Sequence, residues 1–350
     1  MTHDMLSCLA DAKWTFSTRR VDHGDIAGLD TNFGAARAGD LILAQVASLG
    51  QHHRVQLATG RPSLIYPGDM VVLACGARYA PDQFEGLAEI DPKGADLLAG
   101  GGCIGRMVSR NERNKTATRL LPVGRLLDDA GKPVNLDRYA LSPLAGTRDI
   151  PVIFVLGTAM NSGKTLATAQ LSLGLRRAGY KVAALKGTGT GAFGDFNEYA
   201  DTGAHWVADF TDAGMVTTYR EPLERVKAGL DLLLGHAAQR GCQIAVMEIA
   251  DGLFQRETGA LVADPWLRAR QSGLIFACGD AVAAAGGMAE LARHGLRPDA
   301  LTGILSCSPM AAAEAETATG VPVLRKTDLA DPAEANVFAL RALGTDRRAA

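Results

Sequence analysis

One segment constrains the fold of this chain more than any other: Ile153-Phe154-Val155-Leu156-Gly157-Thr158-Ala159-Met160-Asn161-Ser162-Gly163-Lys164-Thr165-Leu166. An apolar strand runs into a glycine loop, and Gly-Lys-Thr opens a helix. That context marks a phosphate-binding loop. Its backbone N–H groups and the helix N-terminus converge on one point and stabilise phosphate oxygens. Lys164 is placed to neutralise the terminal phosphates of a nucleotide, and the Thr165 hydroxyl to ligate Mg²⁺. The usual spacing, G-x-x-x-x-G-K-[ST], would put the first glycine at Thr158; here it lies one residue earlier, at Gly157. The whole loop, Gly157 to Leu166, is therefore the expected nucleotide-binding segment.

Such a loop needs a parallel sheet around it, and the chain after Ile150 supplies the pattern. Strand-like runs at Val152–Leu156, Lys181–Leu185, Gln243–Ile249, Leu274–Cys278, Leu301–Leu305 and Pro322–Leu324 alternate with helix-like segments. The helical segments are Lys164–Ala178, Pro222–Gln239, Ala281–His294, Met310–Thr319 and Pro332–Leu343. Apolar strands separated by helices predict an α/β domain over 150–343, its mostly parallel sheet covered by helices on both faces. Residues 1–147 read differently. Short runs at Asp40–Val46, Arg54–Leu57 and Met70–Cys75, separated by Thr59-Gly60 and Pro67-Gly68-Asp69, predict a small β-rich domain, barrel or sandwich-like. Gly100-Gly101-Gly102 marks a loop or a close packing point, and the seam falls in Ser142–Asp149.

Composition removes several classes. Of 350 residues 47% are hydrophobic and 21% charged, enough apolar material for real cores without staples. Net charge is −2, so a whole-surface nucleic-acid binder is not expected. No apolar run approaches the roughly 20 residues of a membrane span. Met1–Cys8 carries no basic region followed by an apolar run, so no secretory leader is expected. Cysteines 8, 75, 103, 242, 278 and 307 are far apart, which predicts buried reduced thiols and a cytoplasmic setting.

The shifted glycine resembles dethiobiotin synthetase and its relatives, a branch of P-loop proteins that includes ATP-dependent amide-forming and ring-closing enzymes. Three further stretches are similar in order. Lys186 ends the second strand, as in that family; Asp201 stands where the family carries a magnesium-ligating Asp; and Glu248 resembles its strand-terminal metal-side Glu. The resemblance implies ATP and Mg²⁺ as cofactors, with Thr165, Asp201 and Glu248 on the metal side. It covers 150 to about 325. Thr188-Gly189-Thr190-Gly191 and Val207-Ala208-Asp209-Phe210 are also similar to a less characterised P-loop family linked to D-glutamate catabolism. Residues 1–147 have no counterpart in dethiobiotin synthetase.

Parallel strands that end side by side should bring Lys186, Glu248 and the loop to one sheet edge. A second cation there stabilises charge developing in phosphoryl transfer, or holds a substrate carboxylate. Glu248 ends an apolar strand, where a carboxylate needs a metal, a lysine or a capping partner. Asp195, Glu198 and Asp201 recur every three residues and fit either one helix face or a solvated one. Asp251 is the competing acid, and Thr188, Thr190, Asp209, Asp212 and Arg220 are substrate contacts or turn formers.

Other features are excluded or left open. Partition-type ATPases carry an extra lysine early in the loop, where this chain has Thr158 and Ala159. Asn114-Lys115-Thr116-Ala117 lacks the Asp of a guanine-reading motif. Ser306-Cys307-Ser308-Pro309 lies where relatives often read the base and has no clear adenine signature. Arg106, Arg110, Arg113, Lys115 and Arg119 read as a solvated face, with no aromatics interleaved to stack bases. His52-His53 is adjacent along a strand, so a shared metal site is not expected. The stretch from Gly76 to Gly86 fits a substrate pocket or a structured loop.

The expected activity is an ATP- and Mg²⁺-dependent ligase that activates a small carboxylate as an acyl phosphate, Lys164 and Lys186 acting catalytically. A small-molecule kinase and a nucleotide-gated assembly or chaperone ATPase are the alternatives. Expected partners are a carboxylate-bearing small molecule and a second copy in a homodimer, with no nucleic acid and no membrane. Lys164→Ala should abolish nucleotide turnover while circular dichroism shows the fold retained; unchanged turnover would remove the loop from the mechanism.

Overall fold

The computed structural model describes residues 9–144, 146 and 149–344. Cys8, the middle of the Ser142–Asp149 seam and the tail after Gly344 lie outside the described residues. The chain divides into two compact units. The first is Met1–Ser142 with Gly189–Phe193 and Phe210–Arg220; the second is Pro143–Thr188, Gly194–Asp209 and Glu221–Ala350. Two short segments of the region after residue 150 therefore belong to the first unit.

In the first unit, β1 (Leu41–Ser48), β2 (Met70–Cys75), β3 (Ala95–Ala99), β4 (Cys103–Arg110) and β5 (Thr118–Leu127) form a ring. β2 pairs with β1, β1 with β5, β5 with β3 and β3 with β4, all antiparallel. A parallel pairing of β4 with β2 closes it, so the small β-rich domain is a barrel. Alternation along the strands buries both faces. Leu41, Leu43, Val72 and Ala74 enter one cluster, and Ile42, Ala44, Val71 and Leu73 the other. The expected strands at Asp40–Val46 and Met70–Cys75 are β1 and β2; that at Arg54–Leu57 is the short strand Arg54–Gln56, paired with Pro62–Leu64.

The two later segments pair with each other through the backbone and pack on the rest of this unit. Gly191 donates its N–H to Val216, whose side chain lies in the first barrel cluster. A Cβ on Gly101 would meet the Gly191 carbonyl at 1.9 Å, so the triple glycine is a close packing point. Asp212 is paired with Arg19 at 2.7 Å.

The second unit is a six-stranded sheet made of β6 (Val152–Gly157), β7 (Val182–Lys186), β8 (Trp206–Asp209), β9 (Ile244–Glu248), β10 (Gln271–Ala277) and β11 (Ala300–Thr302). Its order is β8-β7-β9-β6-β10-β11, and every pair is parallel. Alternate residues of β6 face opposite helical layers. Ile153 and Val155 pack with Ala167, Leu171 and Leu175 of α1 (Lys164–Arg177) and with Ala335, Phe338 and Ala339 of the helix Pro332–Ala342. Phe154 faces Trp266 of the helix Pro265–Arg270 across 6.1 Å, and on that side Leu230 of the helix Leu223–Gln239 lies near Met247 at Gly187. Helices thus cover both faces.

Two expected strands change. The run Leu301–Leu305 is a strand only to Thr302, because Gly303 takes φ 96° and Ile304–Cys307 turns into a 3₁₀ helix. Pro322–Leu324 forms one isolated bridge, Leu301 to Val323, rather than a strand. Three elements not expected from periodicity are β8 and the helices Arg256–Ala263 and Pro265–Arg270. Asp195, Glu198 and Asp201 do lie on one helix, α2 (Phe193–Asp201).

Candidate nucleotide site

Strand β6 delivers the loop at the sheet edge, and α1 begins at Lys164 with Gly163 as its cap. Gly163 has φ 104°, a conformation open to glycine, and a Cβ there would meet Gly303 at 2.8 Å. A Cβ on Gly157 would meet Ser162 Oγ at 2.4 Å, and one on Gly252 the Thr158 carbonyl at 2.3 Å. These close approaches hold the loop against the turns that follow β9 and β11. The first N–H groups of α1 have no intrahelical acceptor, which leaves them for an anion. Ser162 Oγ is buried with no hydrogen-bond partner. Lys164, 5% exposed, turns its Nζ back to the Ala159 carbonyl at 2.7 Å. Burial and the nearby Lys186 pull its pKa below the ordinary lysine range, opposed by Glu248, Asp251 and Asp195.

The strand order brings the remaining groups together. Glu248 stands in register with Val155 on one side and Lys186 on the other. Its Oε1 accepts from Lys186 Nζ at 2.9 Å, and its Oε2 accepts from the Tyr199 hydroxyl. Lys186 Nζ also pairs with Asp195, whose other oxygen accepts from Thr165 Oγ1 at 3.3 Å. Burial works against the Lys186 ammonium, yet Glu248 and Asp195 overcome it and raise its pKa. Lys164, Thr165, Lys186, Glu248 and Asp195 therefore belong to one polar cluster.

The acid beside Thr165 is Asp195, not Asp201. Asp201 ends α2 on its exposed side, six residues or roughly 9 Å further along the helix. Glu248, 1% exposed, has both oxygens taken by protein donors. Among the described residues no group of three or more His, Cys, Asp and Glu side chains could hold a metal. Mg²⁺ keeps waters and binds through one or two protein oxygens plus substrate phosphates. Thr165 with Asp195 fits that donor set, and the partnerless Ser162 Oγ and open helix N-terminus fit a phosphate.

Of the expected substrate residues, Thr188 accepts from Ala250 N–H at 2.7 Å and braces the turn carrying Asp251. Thr190 pairs with Thr217 inside the first unit. Asp251 takes φ 64°, strained for a non-glycine residue. Burial, with Glu248 and Glu257 in support, pushes its carboxyl up to about 6 against Lys164 and Lys186. Asp212 is committed to Arg19 and Arg20; Arg220 lies 3.9 Å from Glu85. Asp209 is buried at the end of β8, opposite Lys186 in register.

Beside the loop lies a cavity of about 390 Å³, lined by Leu166, Ile304, Ser306, Cys307, Arg325 and Lys326 among others. It includes the loop expected to read a base, and its Arg325–Leu329 wall had no signal in sequence. In the first unit, Gly76–Gly86 forms a small hairpin that with Ser109, Arg110, Asn111 and Tyr219 lines a cavity of about 360 Å³. Arg106 pairs with the exposed Glu89, and Arg119 with the buried Asp96. Partial burial pulls the pKa of His52 down to about 4 and keeps the ring neutral near pH 7. The described cysteines are free thiols, all buried except Cys307. No helix of the described residues is long and apolar enough to cross a membrane.

Strand, glycine loop and Lys-Thr helix on a parallel sheet have the form of a P-loop NTPase fold. No family model and no curated protein matches the sequence. Among solved structures, similarity is found to the signal recognition particle 54 kDa protein from Aeropyrum pernix K1, solved in complex with GDP. Identity is 19% over 57% of this chain and 47% of that one, with a TM-score of 0.36, so the match spans about half that protein's length. The receptor FtsY from Elizabethkingia anophelis is 13% identical over 56% and 68%, TM-score 0.35. Chloroplast FtsY from Physcomitrella patens is 15% identical over 59% and 70%, TM-score 0.35. These likenesses are too slight to carry an assignment, and the class rests on the loop itself.

Asp195→Asn should weaken Mg²⁺-dependent binding of a fluorescent ATP analogue by at least about tenfold, with Asp201→Asn near wild type. The opposite ranking would return the metal to Asp201. The raised pKa of Asp251 means that the folded state binds its proton more tightly than the unfolded chain. Its favourable contribution is present below about pH 3.8 and is lost as pH rises through about 6. Asp251→Asn should accordingly raise the urea midpoint at pH 7 and leave it almost unchanged at pH 4.

Proposed function

We propose that the protein is an ATP- and Mg²⁺-dependent ligase that activates a small carboxylate. The observation that carries this reading is the pair of ammonium groups within one cluster, the buried Lys164 on the loop and the largely buried Lys186 at the end of β7. One cation suffices to hold a terminal phosphate. A second, fixed by two carboxylates, supports transfer to an anionic acceptor, because it offsets the repulsion between a carboxylate and the phosphoryl oxygens. The resemblance to dethiobiotin synthetase supports the same chemistry.

In this reading a substrate carboxylate oxygen attacks the γ-phosphorus, the bond to the β–γ bridging oxygen breaks, and ADP leaves. The amine then attacks the acyl carbon, inorganic phosphate departs, and the amine loses a proton to solvent or a nearby base. Lys164 and the α1 N-terminus hold the phosphates. Lys186 steadies the transferring group. Thr165 and Asp195 would hold Mg²⁺, which supplies charge neutralisation and orientation of the phosphates. The cavity at Leu166, Ile304 and Lys326 would take the nucleoside. Water must be kept from the acyl phosphate, or it hydrolyses.

A second reading, a nucleotide-gated assembly protein, draws support from exposed apolar side chains. Phe254, Val282 and Met310 are 86%, 82% and 78% exposed. They follow β9, β10 and β11, at the strand ends where the loop lies.

Phosphorus NMR with Mg-ATP and a small-metabolite extract separates these readings, with Lys164→Ala as the control. Phosphate released only when a carboxylate and an amine are both present is the expected result. A new stable phosphoester would make the protein a kinase, and slow release indifferent to metabolites would favour the assembly protein.

A further inference from the structure

Tyr199 is fully buried on α2, one helical turn after Asp195. Residues four apart on a helix share a face, so α2 presents both side chains to the same neighbours. Asp195 reaches Lys186 and Thr165. Tyr199 lies on α2's apolar contact with Ala169 and Ala184, and its hydroxyl donates to Glu248 Oε2. The result is a continuous chain of hydrogen bonds: Thr165, Asp195, Lys186, Glu248, Tyr199.

The two carboxylates on Lys186 differ in one respect. The side chain of Asp195 is 31% exposed and that of Glu248 is 2% exposed. Asp195 can exchange partners with solvent and ions. Glu248 cannot, because one oxygen holds Lys186 and the other is occupied by Tyr199. Without the hydroxyl, Glu248 Oε2 would be a buried acceptor with no donor, free to turn toward any nearby cation.

We propose that Tyr199 is a positioning residue: its hydroxyl orients Glu248 so that this carboxylate stays the anchor of Lys186, leaving Asp195 as the exchangeable acid beside Thr165. The inference rests on the role given to Lys186 above. It goes further in assigning the lysine's aim to a tyrosine buried behind Glu248.

Tyr199→Phe keeps the ring and deletes the hydroxyl, and Lys186→Met supplies the second arm of a double-mutant cycle. The first measurement is urea denaturation of the nucleotide-free protein, which needs no activity. Coupling through Glu248 should make the two substitutions clearly non-additive. The second measurement is steady-state ATP turnover with the small-metabolite extract present. Tyr199→Phe should lower kcat by about tenfold with KM for ATP within about threefold. In the Lys186→Met background, Tyr199→Phe should lower kcat no further. Additive denaturation, or a kcat unchanged by Tyr199→Phe, would overturn the proposal. A wild-type protein whose ATP turnover is absent with that extract, or indifferent to it, would instead defeat the ligase reading, and the denaturation cycle would still decide whether Tyr199 acts on Lys186.

Discussion

The ion pair between Lys186 and Glu248, 2.9 Å long and almost wholly buried, is the interaction on which the second unit's active edge depends. Burying either charge alone would cost several kcal/mol, so each needs the other in register. The register is supplied by β7 and β9, which pair in parallel and end together. Because β9 lies between β7 and β6, the pair also sits next to the strand that carries the phosphate loop. A sheet in which β6 and β7 were neighbours would separate Glu248 from one of its two flanks. The strand order and the charge pair therefore require each other.

Glycine does for the loop what the ion pair does for the strand ends. The backbone of the loop is packed so closely against neighbouring turns that side chains at Gly157, Gly163, Gly252 and Gly303 would collide with it. Packing this tight holds the loop backbone and its N–H groups in place. Preorganised donors of this kind act without reorganising when charge develops. The same cluster then shows a gradient, from the half-exposed Thr165 and Asp195 to the dry Glu248 and Tyr199. Ion exchange belongs to the wet end and geometry to the dry end.

Much of this was legible in the chain. The loop stood out because Gly157, Gly163, Lys164 and Thr165 form a local pattern whose mechanism is local: a strand, a turn and a helix start. Lys186 and Glu248 could be brought together in advance because strand ends in a parallel sheet converge. Asp195 was visible only as one of three acids at equal spacing. Choosing between it and Asp201 needed the position of α2 against α1, which no local signal encodes. Tyr199 carried no signal at all, since a tyrosine in a helix reads as packing until its hydroxyl is placed.

The first unit shows the same division. Short alternating strands announced a small β-rich domain, but only the parallel pairing of β4 with β2 makes it a closed barrel. Nor did the sequence reveal that Gly189–Phe193 and Phe210–Arg220 belong to that unit, because their partners in the rest of it lie far along the chain, Gly101 against Gly191 and Leu141 bonded to Asp212. By itself the sequence determined the α/β pattern after Ile150, the phosphate loop and the charged strand ends, all of which follow from neighbours along the chain. The tertiary structure decided which acid faces Thr165, which carboxylate anchors Lys186, and where the barrel closes. Those are contacts between segments distant in sequence, fixed by packing and by the cost of leaving a buried charge or hydroxyl unpaired.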